Sequence, residues 1–207
     1  MKIDKNVVYS SGDFSFQNFT TLSDEIIEQI RVWRNHPDIR KVMYNVNEIS
    51  QIQHRDFVNS LYETKDKSYW LVSLNSEPLG VMSIVDIDSH DDSGQLGYYI
   101  FPQFLNSGIG IEFLTHSLNL IFSKLNFKNL FGRTEVFNKN ALQINYLLGF
   151  KSRNKIVEIN NVKYLEQDCS AKDFFDNLKN LSDNKMLLQN IKDFNKYYKT
   201  IHEANGN

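Results

Sequence analysis

Two glycines stand directly in front of an amphipathic run in the stretch "LNSGIGIEFLTHSLNLIF", residues 105–122. Leu114, Leu118, Ile121 and Leu125 recur at helical spacing, so one apolar stripe faces a core. Gly108 and Gly110 lie over the first turn of that helix, where four backbone N–H groups have no intrahelical partner. A strand that leads into such a turn suits an anion. Free N–H groups point outward, the helix dipole adds positive potential, and glycine removes the Cβ that would block approach. Phosphate is the natural guest; the plainer alternative is a glycine turn that only lets helix and strand pack closely. No GxSxG elbow, Walker A loop or full GxGxxG accompanies it. The five histidines show no HxxxH or HxH spacing, and the single cysteine, Cys169, leaves no internal disulfide and no cysteine-based zinc site. No metal is expected.

The elements that must position this loop follow from the rest of the 207 residues, a length that suits one domain with an appendage. Charged residues make up 23% and the formal net charge is −2, so no basic field exists to hold nucleic acid. No apolar run approaches the ~18 residues of a membrane span. The start "MKIDKNVVYSSGDF" lacks the apolar region of a secretory signal, which makes the cytoplasm the expected compartment. After an extended start, Leu22, Ile26, Ile30 and Trp33 mark a first helix, capped by Thr21 or Ser23 and broken at Pro37. Ser50 and Gln53 form a capping box that opens a second helix. "SYWLVSL" and "LGVMSIVDI", joined by "NSEP", read as an antiparallel hairpin, and "QLGYYIF" as a third strand ended by Pro102. The glycine-led helix follows, then a strand "NLFGRTEVF" and a short helix closed by Gly149. A last hairpin turns at Asn160-Asn161. Leu187, Ile191, Phe194, Tyr198 and Ile201 then mark one helix or a pair of helices. The order predicts an α+β fold with one mixed sheet.

A strand "QLGYYIFP" feeding the glycine loop, followed later by "RTEVF" and "NKNALQINYLLGF", resembles the Gcn5-related N-acetyltransferase (GNAT) family. The resemblance covers about residues 17–168. It implies a mixed, mostly antiparallel sheet flanked by helices over residues 1–168, and a helical C-terminal extension over 169–207. It implies acetyl-CoA as cosubstrate, its pyrophosphate held by the main chain of Asn106, Ser107, Gly108, Ile109, Gly110 and Ile111. Family members usually carry Gln or Arg where this chain has Leu105, a departure that removes a side chain but leaves the amide cradle. The strand before the loop, at Tyr99, Ile100 and Phe101, is expected to expose backbone to the pantetheine and thioester. Asn138 or Asn140 is expected to hydrogen-bond the coenzyme, with helix capping as the alternative role. The segment "NFTTLSDEIIEQIRVWRNHPDIRKVM" is similar to the branch that acetylates UDP-linked dideoxy amino sugars on the way to pseudaminic acid. Ribosomal-protein N-terminal acetyltransferases share a weaker version of it.

N-acetylation needs a base for the amine proton, a donor for the developing oxyanion and an acid for the thiolate. The family's acid is a Tyr four residues before the Gly of Gly-Phe, a place held here by Asn145, with Tyr146 one position later. One residue turns a helical side chain by about 100°, so Tyr146, Asn145 or water remains open as donor. Glu135, at a strand end, is the candidate base, with a structural ion pair as its alternative; Asp86, Asp88 and His90 are expected to be solvated. Recognition of the sugar nucleotide is expected from Arg34, Asn35, His36, Met43 and Tyr44, while Trp33 completes the apolar face of its helix. Residues from about 170 onward are expected to cover the protein's own core or a second copy, a homodimer. The expected function is direct acetyl transfer to a UDP-linked amino sugar, without an acetyl-enzyme. Protein N-terminal acetylation and a non-catalytic acyl-CoA-binding role are the alternatives.

Overall fold

The structure, a computed structural model, describes residues 3–181 and 183–205. Two compact units meet in sequence at Phe127 and Lys128. No helix among the described residues is long and apolar enough to cross a membrane.

The first unit contains β1 (Tyr9–Ser11), β2 (Phe14–Asn18), α1 (Asp24–Arg34), α2 (Pro37–Arg40) and α3 (Gln51–Glu63). β3 (Ser68–Leu74), β4 (Glu77–Asp88), β5 (Ser93–Ile100) and α4 (Gly110–Asn119) follow. The five strands pair antiparallel in chain order. The β3–β4 turn is tighter than the four residues of "NSEP": Asn75 and Ser76 alone make it, both left-handed at φ 49° and 70°. That is the two-residue geometry whose twist matches a hairpin. Pro78 therefore belongs to β4, opposite Ser73 where the register shifts, a place that tolerates its missing donor.

α1 and α3 settle on one face of this sheet. Ser23 caps α1, its Oγ accepting from the Ile26 N–H, and Ser50 and Gln53 close the expected capping box on α3. Ile30, Val58 and Leu61 from α1 and α3 pack with Leu71, Val81 and Phe101. Trp33 stacks on Phe101 at 4.0 Å between centroids, so it belongs to the core and not to a base-stacking surface. Pro37 ends α1 and also opens α2, where its fixed φ is pre-organised. In α4 and the turn that continues it, Leu114, Leu118, Ile121 and Leu125 are fully buried. The stripe stays in phase past Asn119 through a wider turn, in which the Leu125 N–H donates to Leu120 O at 3.0 Å.

The second unit contains β6 (Asn129–Glu135), α5 (Lys139–Leu147), β7 (Lys151–Ile159), β8 (Val162–Ser170), α6 (Ala171–Leu181) and α7 (Asn184–Asn205). β8 lies between β6 and β7, antiparallel to both. The C-terminal run is thus a pair of helices. Phe194 and Ile201 of α7 join Val136, Leu142 and Leu165 in one core, so α7 covers its own unit. Gly149 leaves α5 at φ +97°, and a Cβ there would lie 2.7 Å from the Asp173 carbonyl oxygen.

Two predictions concern stability. Gly149→Ala combines that clash with a left-handed backbone and should cost about 1–3 kcal/mol of unfolding free energy in a urea titration. His54 on α3 is 6% exposed. Burial, aided by the neighbouring Arg31 cation, pushes its pKa down to about 4 from the ordinary 6.5. The unfolded chain therefore takes up a proton that the folded chain refuses between those values. Stability is full above 6.5 and declines as pH falls toward 4. Going from pH 7 to pH 5 should remove on the order of 2 kcal/mol, and His54→Gln should flatten that slope in the same titration.

Candidate active site

The loop between β5 and α4 is held by its own short bonds. Phe101 N–H donates to Leu79 O at 2.9 Å, and a 3₁₀ turn over Pro102–Phe104 follows. Ser107 N–H and Oγ both donate to Phe104 O, and Ser107 Oγ accepts from the Ile109 N–H at 3.3 Å. The first helical bond runs from Phe113 N–H to Ile109 O. The amides of Asn106, Gly108, Gly110, Ile111 and Glu112 are left without a hydrogen bond among the described residues. Ser107 and Ile109 thus spend on the loop itself the amides expected to hold phosphate. Glu112, outside the expected stretch, contributes one instead. Counting four orphan donors from the first helical residue would have found it.

Gly108 has φ +86°, and a Cβ built there meets nothing within 4 Å. The space beside it is a cavity of about 400 Å³, lined by Leu74, Leu79, Phe104 and the loop, with Glu77 and Glu112 also on its wall. Two carboxylates give no attraction to a diphosphate. The pull must come from the bare amides and the dipole of α4. Leu105 is 37% exposed and has no donor to add. The residues present fit the diphosphate of a coenzyme through main chain alone.

β5 sorts its residues by face and by edge. The rings of Tyr99 and Phe101 join the core under α1 and α3, and burial holds the Tyr99 phenol protonated far above the usual tyrosine range. Phe101 cannot offer its N–H to a thioester, because Leu79 O already has it. Main-chain groups of successive strand residues point to opposite edges, so the Ile100 N–H faces away from β4. Of the three residues expected there, Ile100 is the one with main chain to give.

The catalytic candidates of the second unit behave differently from expectation. Asn145 is 5% exposed. Its Nδ2 donates to Thr134 Oγ1 and Gln167 Oε1, both at 3.1 Å, which ties α5 to β6 and β8. With both amide hydrogens engaged it is a structural crosslink and has no proton for a leaving group. Tyr146 packs against Phe194 and Tyr197 of α7, centroids 5.6 and 5.9 Å away. Burial, with Asp193 nearby, raises its pKa. Asn138 caps α5, its Oδ1 accepting from the Ala141 N–H at 3.2 Å, as its alternative role foresaw. Asn140 is exposed in the first turn of α5. Glu135 is half-buried at the end of β6 and pairs with no cation among the described residues; its neighbour Arg133 binds Glu166.

Among the residues expected to meet the acceptor, Asn35 exchanges two bonds with the main chain of Ile49, at 2.8 and 2.9 Å, and so fastens a loop. His36 Nδ1 accepts from the Asp38 N–H and caps α2. Met43 is half-buried, and the exposed Tyr44 takes a hydrogen bond on its hydroxyl from the buried Gln95 at 3.4 Å. Arg34 donates one Nη2 hydrogen to Asn45 O at 3.0 Å.

Residues 18–151 match the acetyltransferase (GNAT) domain family. The chain is 28% identical over 155 residues, 75% of its length, to a protein of Campylobacter jejuni (strain 81-176) named acetyltransferase PseH, of which 96% is covered. Among solved structures, a Vibrio cholerae spermidine N-acetyltransferase in complex with CoA and spermine superposes with a TM-score of 0.71 at 15% identity, covering 80% of this chain and 99% of that one. The Campylobacter jejuni PseH structure in complex with acetyl coenzyme A gives a TM-score of 0.60 at 22% identity, covering 76% and 99%. Bare amides at the start of α4 and a family match over most of the chain agree: this protein belongs to the GNAT acetyltransferase family and is an acetyltransferase that uses acetyl-CoA.

Proposed function

We propose that the chain transfers the acetyl group of acetyl-CoA to the amino group of a UDP-linked dideoxy amino sugar, a step toward pseudaminic acid or a similar surface sugar. The observation that carries the acyl-transfer half is the set of unpartnered amides at residues 108 and 110–112, beside a cavity that Gly108 and Glu112 line. Support for the acceptor half comes from the PseH relative and from the sequence of α1 and α2. The catalytic part is assigned to residues 1–168; α6 and α7 lie beyond the family match and act as an added cover. The cytoplasm is the compartment this reading assigns.

The chemistry divides among the chain's own groups. The Gly108, Gly110, Ile111 and Glu112 amides hold the diphosphate and fix the thioester along β5. The Ile100 N–H donates to the carbonyl oxygen as negative charge grows there. Glu135, directly or through a water, takes the amine proton while the nitrogen forms its bond to the carbonyl carbon. The carbon–sulfur bond then breaks and the thiolate leaves with its electron pair. Asn145 is committed elsewhere, so the sulfur's proton comes from water or from Tyr146. Cys169 is buried, its thiol pushed up to about 12 mainly by burial, which fits transfer without an acetyl-enzyme.

Mixing the protein with acetyl-CoA and, separately, a UDP-linked amino sugar, spermidine and N-terminal peptides, then following thiol release, tests the acceptor. Release only with the sugar nucleotide is expected; turnover confined to spermidine or peptides overturns the assignment. Gly108→Val places a branched side chain over the amides. Losing one charge-assisted hydrogen bond should raise the KM for acetyl-CoA roughly tenfold to a hundredfold; an unchanged KM removes the phosphate site. Glu135→Gln should lower kcat on the order of a hundredfold and leave the KM for acetyl-CoA alone.

A further inference from the structure

Two side chains on the wall of the cavity beside the bare amides have no part in the chemistry above: Glu77 and Glu112. Glu77 opens β4, opposite Leu74 across the hairpin, and Glu112 lies in the first turn of α4. Both are exposed. No lysine, arginine or histidine lines the cavity with them, and neither forms an ion pair among the described residues. Each has a plainer role. A carboxylate in the first turn of a helix is favoured by the dipole, and a glutamate beside a two-residue turn is ordinary surface. Those roles leave unexplained why both carboxylates reach the one cavity that Gly108 also lines.

The directions of charge give the consequence. Along a helix the Cα–Cβ bonds tilt toward the N-terminus, which carries the Glu112 side chain back toward the Gly108 loop. Its carboxylate therefore competes for the dipole that draws an anion to the same helix end. A diphosphate on these amides brings negative charge into that field. Exposed charges within about 10 Å of one another still interact at low salt, and the interaction fades as ions screen it. The helix end pulls the coenzyme in, and the two glutamates push back.

We propose that Glu77 and Glu112 set the affinity and the charge selectivity of the coenzyme site by opposing the diphosphate, and by opposing more strongly a ligand that carries further negative charge beside it. The inference rests on the amide cradle as the diphosphate site and adds the side chains that limit it. Opposition of this kind keeps free CoA from lingering, and product release limits many enzymes. Calorimetric titration with CoA tests it. Glu77→Gln and Glu112→Gln should each tighten CoA binding roughly threefold at about 0.01 M salt, and the gain should vanish at about 1 M. A gain in affinity cannot come from a damaged fold. Pantetheine, which lacks the diphosphate, should bind all three proteins alike, and dephospho-CoA, without the ribose 3′-phosphate, should gain less than CoA. Unchanged or weakened CoA binding in either variant overturns the proposal. So does a gain that survives high salt, or one that pantetheine shares, because packing and not charge would then be the cause. Gly108→Val separates the two readings. If it weakens CoA binding while the glutamine variants change nothing, the amide cradle stands and the opposing carboxylates fall; the reverse result removes the cradle and keeps the carboxylates.

Discussion

The N–H groups of Gly110, Ile111 and Glu112 in the first turn of α4, with that of Gly108 just before it, have no hydrogen bond among the described residues, and the architecture of the first unit keeps them that way. A glycine at φ +86° holds the chain clear of them, and Ser107 folds the loop back on Phe104 so that it does not collapse over them. The helix cannot slide to bury its own end, because Leu114, Leu118, Ile121 and Leu125 lock one face into the core. β5 is anchored to β4 as far as Phe101, so the strand enters the loop at a fixed place. A rigid frame around an unsatisfied helix end suits an anion, because the donors need not reorganise to meet it, and the cavity wall carries no cationic side chain.

The second unit shows how a departure from a family pattern is absorbed. Where a tyrosine is usual, Asn145 stands buried and crosslinks Thr134 and Gln167. Its two donors and the oxygen of Gln167 satisfy one another inside the sheet, which a phenol in that place would not do. Tyr146 is carried round α5 to the face that α7 covers, among Phe194 and Tyr197. The extension therefore does more than lengthen the chain. It supplies the apolar partner for the side chain that the one-residue offset turned outward.

At the C-terminal end of α1, three side chains clasp the segment 45–49. Asn35 and Arg31 hold it at Ile49, and Arg34 holds it at Asn45. The motif residues of that region thus fasten a loop. Sequence alone gives a loop-fastening residue and a ligand-binding residue the same polar character, so it cannot separate them.

Much of the secondary structure could be read from the chain. The capping box at Ser50 and Gln53, the Asn160-Asn161 turn, Gly149 at a helix end and the stripe on α4 are local: the residues that decide them lie within a turn or two of one another. The glycine loop could be read for the same reason, since orphan amides are a property of any helix start. Tertiary structure decided what depends on distant partners. It alone showed that the Asn145 amide meets residues from β6 and β8, that the Phe101 N–H is spent on Leu79, and that Asn35 belongs to a loop fourteen residues on. Hydrogen-bond satisfaction is a sum over everything within about 3 Å of an atom. A sequence names the donors and acceptors, and only the folded chain says which of them have already found each other.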